Sequence, residues 1–431
     1  MLKSQKKVLV VGGGFAGIRL VKSLARDRRF QVTLVDINNY HFFPPLLYQV
    51  GTGFIESSNI TYPFRRMFQE KDNLRFFMGN FQKVNPEEKF IDTDHGRLYY
   101  DDLVFALGTE TNYFGMEDVR ENAFPMKTID DAINLRNHIL LTLEKAVREE
   151  NPLKRSALLN IVIAGGGPTG VEIAGMLAEM AHNIARKEYP EIAGVRGNIH
   201  LIDAAPTLLG PMRKTAQQEA FNVLSKLGVQ IKLNVAVKGY QQGAVMLDDG
   251  SSIPTDMFIW TSGVTGKPLP GISEEYLSKG RRVQVDAFNN LKADAHIFAI
   301  GDICLQTSDP AYPQGHPQLA QVAIQQGQLL AKNLKRRESG KAMEPFRYNN
   351  KGSMAIISKY KAVADLPKVS FKGFFAWLVW LFIHIIPLAG FRNKVSLSFS
   401  WFWSFITNDP TLRLIVRPTQ KKKTSSQTAD T

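Results

Sequence analysis

The stretch Ile161–Glu172 reads IVIAGGGPTGVE, and Val8–Gly17 has already read VLVVGGGFAG. Each is an apolar, β-branched run that ends in a glycine turn. VLVV suits a parallel strand buried on both faces. Gly12, Gly14 and Gly17 then fall in GxGxxG spacing, and Phe15 and Ala16 open a stretch of helical composition. In such a turn the first glycine permits the tight bend, the second lets backbone approach a pyrophosphate, and the third lets helix and strand pack closely. The helix N-terminus offers unpaired amides and a positive dipole end to the phosphates. The next strand, FQVTLVD, ends at Asp36, where a carboxylate meets an adenosine ribose. A lone glycine motif is weak. Strand, turn, helix, strand and acid in that order predict a dinucleotide-binding unit.

The second turn repeats this logic. NIVIA is the strand, and Gly165, Gly167 and Gly170, with Pro168 between them, are the turn. VEIAGMLAEMAHNIARK is the helix, and NIHLID ends at Asp203 after the inserted EYPEIAGVRG. An acid at Asp203 favours a free ribose 2′-hydroxyl and repels a 2′-phosphate, so NADH is preferred over NADPH; the plainer reading is that Asp203 only ends a strand. Two such units in one chain suggest two dinucleotides that must meet. One is a tightly held flavin, the other an exchangeable nicotinamide, which points to electron transfer.

The totals are compatible. A chain of 431 residues has room for two or three domains, and 44% hydrophobic with 22% charged residues supports a substantial core. One cysteine, Cys304, excludes an internal disulfide, a CxxC redox pair and a cysteine-rich metal site, so no metal ion is expected. The N-terminal MLKSQKKVLVV lacks the pattern of a signal peptide, which predicts a cytoplasmic location. The net charge of +13 suits anionic nucleotides or an anionic membrane leaflet. Without zinc-finger spacing or an aromatic RNA-binding signature, no nucleic-acid partner is expected.

Further along, an apolar strand runs from Leu103 to Leu107 into Gly108-Thr109. A polar helical stretch follows, then the second unit with a hairpin-like LDDGSSIP and a strand FIWTSGVTGKP. HIFAIGDIC (His296–Cys304) is a strand ending at Gly301-Asp302 and reads as a return to the first domain. The expected fold is α/β, with two Rossmann-like domains, the nicotinamide domain inserted in the flavin domain. The expected boundaries are 1–125 and 276–345 for the flavin domain, 126–155 for a linker helix, and 156–275 for the NADH domain. A C-terminal membrane-attaching region spans 346–420, and a disordered tail 421–431.

The paired GxGxxG turns, ALGT and FAIGD resemble the two-dinucleotide-binding flavoproteins. NNYHFFPPLLYQVGTG, GPTGVEIAGMLAE, WTSGV and AQVAIQQG resemble, within them, the type II NADH dehydrogenases, single-chain NADH:quinone oxidoreductases. That resemblance covers roughly residues 5–420. It implies that FAD lies on Gly12, Gly14, Gly17 and Asp36, with Thr109, Gly301 and Asp302 beside it. Read alone, Asp302 is a helix N-cap. It places Gly263 and Val264 near the nicotinamide of NADH. It implies that Glu172, which read alone is a charge complementing a helix dipole, positions groups or handles a proton near the flavin's reactive edge. Gln321 and Gln325 lie at i and i+4 on one helical face, which alone reads as a solvated face. The resemblance implies that they border a quinone and donate to its carbonyl. Ala320, Ala323, Gly327 and Ala331 form a neighbouring face of small residues, suited to close approach by something flat. Lys359, in ISKYKAV, falls near the quinone tunnel on a looser match, and reads equally as a surface lysine. His41 and Tyr48 receive no chemical role.

From Gly373 to Gly390 the chain reads GFFAWLVWLFIHIIPLAG, with no formal charge. Pro387 stops a regular helix near Ile386, leaving about 14 residues where a span needs about 20. Its aromatics, with Arg392 and Lys394 beyond, suit an element lying in the headgroup boundary. VSLSFSWFWSFI alternates with period two, which is a strand pattern, whereas the family resemblance implies a second amphipathic helix. A dimer interface or a buried core is the plainer use of the region. The expected protein is a peripheral, monotopic enzyme on the cytoplasmic face of the membrane, possible as a homodimer. It passes a hydride from NADH to FAD, then electrons to menaquinone or ubiquinone, without proton pumping. A soluble-acceptor, ferredoxin-type NADH reductase and a flavin-bearing NADH-sensing protein are the rival readings.

Overall fold

The computed structural model describes residues 5–181, 186–192, 194–195, 197–407 and 414–415. The tail 421–431, expected to be disordered, lies outside them.

Val8 to Val11 are all buried, as a strand covered on both faces must be. The strand Lys6–Val11 sits inside an eight-stranded sheet, between Asp102–Phe105 on one side and Phe30–Asp36 on the other. From Leu74–Met78 through these to Asp294–Ala299 the pairing is parallel. The pairing Ile297 to Leu103 brings the chain home after a long excursion. During that excursion it builds a second parallel sheet, in the order Phe124–Pro125, Met257–Trp260, Ile161–Ala164, Ile199–Asp203, Gln230–Leu233. The second nucleotide-binding unit is therefore inserted in the first. A two-stranded ribbon, Thr109–Thr111 against Val264–Gly266, lies where the chain leaves and where it comes back.

The helix Ile129–Arg148 starts on a capping box between Thr128 and Asp131. It is more than a polar linker: Ile129, Ala132, Leu135 and Ile139 are buried in the largest apolar cluster. LDDGSSIP does form the turn of a hairpin, Ala244–Leu247 against Ser252–Pro254.

The small-residue face of the helix Ala320–Glu338 has a different use from the one expected. Ala323 and Ala331 pack in one cluster with Ala16 and Leu20 of the first helix, Phe15–Leu24. A Cβ on Gly327 would lie 2.4 Å from the Ala16 carbonyl oxygen. The small side chains serve helix–helix contact there.

After the antiparallel strands Ser353–Ser358, Lys361–Asp365 and Ser370–Gly373 come the helices Phe374–Ile385 and Phe391–Thr407. The first ends where Pro387 requires. The second settles the conflict over 395–406 in favour of helix. Its period-two serines are absorbed locally: Ser398 donates to Lys394 O at 2.8 Å and Ser400 to Ser396 O at 2.9 Å. Burial then follows helical spacing, with Leu397, Trp401 and Ser404 inside.

Candidate functional site

The two glycine turns are copies in three dimensions. Gly12 and Gly165 have φ of +108° and +110°, which favours glycine. A Cβ on Gly17 would sit 2.0 Å from the Gly12 carbonyl oxygen, and one on Gly170 1.8 Å from that of Gly165. Gly14 and Gly167 cap their helices without any side-chain hydrogen bond. Apart from its chain neighbours and its own helix, nothing among the described residues lies within 4 Å of a Cβ built on either. Each turn thus presents bare helix amides to open space, the cradle a pyrophosphate needs. Pro168 takes the first helical position, where a missing N–H costs nothing. Phe15 packs edge-on against His41 and Phe43. Ala16 is buried.

The acids match as well. Asp36 Oδ2 accepts from the Gly13 amide at 2.6 Å, and Asp203 Oδ2 from the Gly166 amide. Reading only the GxGxxG positions missed Gly13 and Gly166. A Cβ on them would strike Phe64 Cζ at 2.2 Å and Leu208 Cδ2 at 2.7 Å. The signal was present in the unbroken GGG of both turns. His41 Nδ1 donates to the Gly13 carbonyl at 2.9 Å, and burial takes its pKa down to about 4, so it is neutral there.

Asp302 is not an N-cap. Its short 3₁₀ turn is capped by Ile300, with no side-chain bond. Burial raises its carboxyl, while Lys127 and Arg282 pull it back. Gly301, at φ +76°, comes close to Ala16, so the turn docks on the first helix's N-terminus. Thr109 Oγ1 is buried with no hydrogen-bond partner among the described residues. These residues fit a bound flavin dinucleotide: a glycine cradle, a ribose acid, and polar groups left for a ligand. Across the ribbon, Gly263 has φ +75° and faces the Phe114 ring. Val264, partly exposed, pairs with Thr111.

Glu172 is buried, and burial pushes its carboxyl well above the ordinary range. The charge-on-dipole reading therefore does not describe it. Its helix, Pro168–Met180, lies against the strand Ser353–Ser358, because Gly175 admits the Ile357 carbonyl to 1.6 Å from where a Cβ would be. The Ile356 amide approaches Glu172 Oε1 at 3.4 Å. The structure brings Gln321 and Gln325 together on the segment 348–352. Gln321 Nε2 donates to Gly352 O at 2.6 Å and its Oε1 accepts from the Tyr348 hydroxyl. Gln325 exchanges two bonds with the Asn349 backbone. Lys359 gives its amide to Glu179 at 2.6 Å, and its ammonium lies 4.9 Å from the Tyr360 ring centre.

Beneath the C-terminal helices runs a buried chain that sequence reasoning passed over. Trp401 Nε1 donates to Gln49 Oε1 at 2.8 Å, and Gln49 Nε2 to the Tyr48 hydroxyl at 3.0 Å. His384 stacks on Trp380 at 4.0 Å and donates Nδ1–H to its carbonyl. Burial lowers His384 to about 4.

Comparison with known proteins agrees with this arrangement. Residues 6–327 match the pyridine nucleotide-disulphide oxidoreductase family, and residues 350–408 the NDH2 C-terminal domain. The chain is 34% identical over 416 residues to the type II NADH:quinone oxidoreductase Ndh of Mycobacterium tuberculosis, covering 93% of this chain and 88% of that protein. It is 32% identical over 413 residues to NdhA of the same organism, covering 93% and 87%. The solved structure of NDH2 from Plasmodium falciparum in complex with NADH superposes with a TM-score of 0.86 at 20% identity, covering 96% of this chain and all of that one.

Proposed function

This chain belongs to the type II NADH:quinone oxidoreductases, and on that premise we propose how its residues divide the work. NADH is the hydride donor and a quinone the final acceptor; an FAD held by the first cradle would supply the two-electron carrier between them. The observation that carries the reading is the duplicated glycine cradle, with the two copies joined by the ribbon Thr109–Thr111 and Val264–Gly266.

FAD belongs on Gly12, Gly14, Gly17 and the amides of the Phe15 helix, with Asp36 on its ribose. Thr109, Gly301 and Asp302 take the rest. When bound it supplies the hydride acceptor and the two-electron donor. NADH belongs on Gly165, Gly167, Pro168 and Gly170. Asp203 selects against a 2′-phosphate. Gly263 and Val264 border the nicotinamide; a side chain on Gly263 would strike the Phe114 ring, 2.6 Å from where its Cβ would be. Glu172, whose carboxyl burial pushes upward, is placed to hold a proton near the site of transfer. Gln321 and Gln325 each use one Nε2 hydrogen on backbone and keep a second for a quinone carbonyl. Lys359 lines the approach.

The quinone comes from the membrane. Among the described residues no helix is long and apolar enough to cross one. Phe374, Phe375, Leu378, Phe382, Phe399 and Phe402 instead point outward from the two C-terminal helices. A face that apolar suits the headgroup boundary, with Arg392 exposed at its margin toward anionic lipid. This is monotopic attachment, on the cytoplasmic side. A soluble acceptor would leave the face without a purpose.

An anaerobic titration tests the reading. NADH bleaches the flavin absorbance of the purified protein, and a menaquinone or ubiquinone analogue restores it. A flavin that NADH bleaches but neither quinone reoxidises contradicts it.

A further inference from the structure

At the turn between the two C-terminal helices, Phe391 is 83% exposed. Beside that turn lies a piece of the first nucleotide-binding unit, the segment Ser57–Met67. Polar bonds tie the two together. Asn393 Nδ2 donates to Thr61 O at 2.7 Å and lies 3.3 Å from Ser58 O. Asn59 Nδ2 donates to Ser396 Oγ at 2.8 Å. Tyr62 meets the start of the helix Phe391–Thr407 directly: a Cβ on Gly390 would lie 2.4 Å from its Cε2. The guanidinium of Arg66 lies 5.9 Å from the centre of the same ring. One tyrosine therefore touches both Arg66 and Gly390, and Arg392 follows two residues later. Both arginines are exposed, and among the described residues neither is paired with a carboxylate. Arg65, exposed beside them, has its guanidinium 5.4 Å from the Phe76 ring centre. Packing on a ring steadies a guanidinium while its N–H fork stays open to a phosphate. The surrounding charge has one sign. No carboxylate occurs between Ser57 and Gln69, where Glu56 and Glu70 mark the ends, and none between Leu366 and Thr407.

We propose that the stretch Tyr62–Arg66 of the flavin-binding unit is a second membrane contact, in which Arg66 joins Arg392 in holding the phosphates of anionic phospholipid at the rim of the apolar face. This rests on the membrane attachment read above. A leaflet laid on the outward phenylalanines of the helices meets these arginines next, because Tyr62 and Asn393 fix the one segment against the other. A pair of helices held in the headgroup boundary leaves the rest of a protein free to tilt. A cationic contact on a different part of the fold sets the angle at which the flavin-binding unit stands on the leaflet.

The test floats the flavin-loaded full chain with two kinds of vesicle, phosphatidylcholine alone and phosphatidylcholine mixed with phosphatidylglycerol, at about 0.1 M salt. The parent should bind the anionic vesicles more tightly. Arg66→Ser should lose about fivefold in affinity for them and nothing for phosphatidylcholine. Arg66→Ser combined with Arg392→Ser should lose about twentyfold. Lys83→Ser removes an equal charge from the strand Phe81–Asn85, whose apolar cluster includes no residue of the C-terminal helices, and should bind like the parent. Flavin absorbance and the rate of bleaching by NADH should match the parent's throughout. If Arg66→Ser fails to retain flavin, Arg66→Gln takes its place with the same expectation. A variant at Arg66 that binds anionic vesicles no worse than Lys83→Ser, or that loses equally on both kinds of vesicle, overturns the second contact and leaves the apolar attachment standing. A parent that binds both kinds equally does the same. A parent that floats with neither overturns the attachment itself, and the second contact with it.

Discussion

At the scale of single residues, the strongest constraints are distances that leave no room for a methyl group. Gly170→Ala would set a Cβ 1.8 Å from the Gly165 carbonyl oxygen, so turn and helix must part. The first cradle is untouched. The variant should therefore keep its flavin colour but lose about a hundredfold or more in the rate of bleaching by NADH, read by absorbance. Gly17→Ala should do the reverse and emerge without flavin. Glu172 makes a prediction about pH. Burial raises its folded pKa above the unfolded value. Its contribution to stability is then fully present below the ordinary carboxylate range and is lost as pH rises. Glu172→Gln cannot ionise, so its melting temperature should gain on the parent's as pH rises above the ordinary carboxylate range. Equal pH slopes for the two proteins would contradict the assignment. These residues were only partly legible. The outer glycines and both acids stood out because spacing marks them. Gly175 and Gly327 did not, because what they admit is backbone distant in sequence: Ile357 and Ala16.

At the scale of elements, the C-terminal helices present one side, with Trp380 and Trp401, to Tyr48 and Gln49 and the other to solvent. Replacing Phe375, Phe382 and Phe402 together by serine removes three side chains that are 64%, 70% and 60% exposed. A membrane that buries them gains roughly 1.5–3 kcal/mol from each. The triple variant should float with lipid vesicles at least about a hundredfold less well while retaining its flavin. Unchanged flotation would assign the face to something other than lipid. The alternating pattern of VSLSFSWFWSFI misled because period-two apolarity describes a strand only when one face is solvated. Here the serines bond to the preceding turn, and the remaining apolar side chains divide between the core and an exposed face. By contrast, the length of Phe374–Ile385 was legible, since Pro387 ends it on any reading.

At the scale of the whole molecule, the sequence shows two nucleotide units because each carries its own local motif. It shows the insertion because a strand with the look of the first unit reappears at His296. What it does not show is how the C-terminal strand seals the second unit's helix, for that contact has no periodic signature. The net charge of +13 adds a further prediction. Binding to anionic vesicles should weaken as salt rises from about 0.05 M to about 0.5 M, as screening shortens the reach of surface charge. It should not vanish, because the apolar face is indifferent to salt; complete release by salt, or no response to it, would contradict the two-part attachment.

The most direct test of the account mixes the purified yellow protein anaerobically with one equivalent of NADH, and in parallel with NADH deuterated at the transferring position. If the two cradles hold their nucleotides within reach of each other, the flavin bleaches in full, and more slowly with deuterium. A protein that carries no flavin, or a flavin that stays yellow in the presence of NADH, would contradict it.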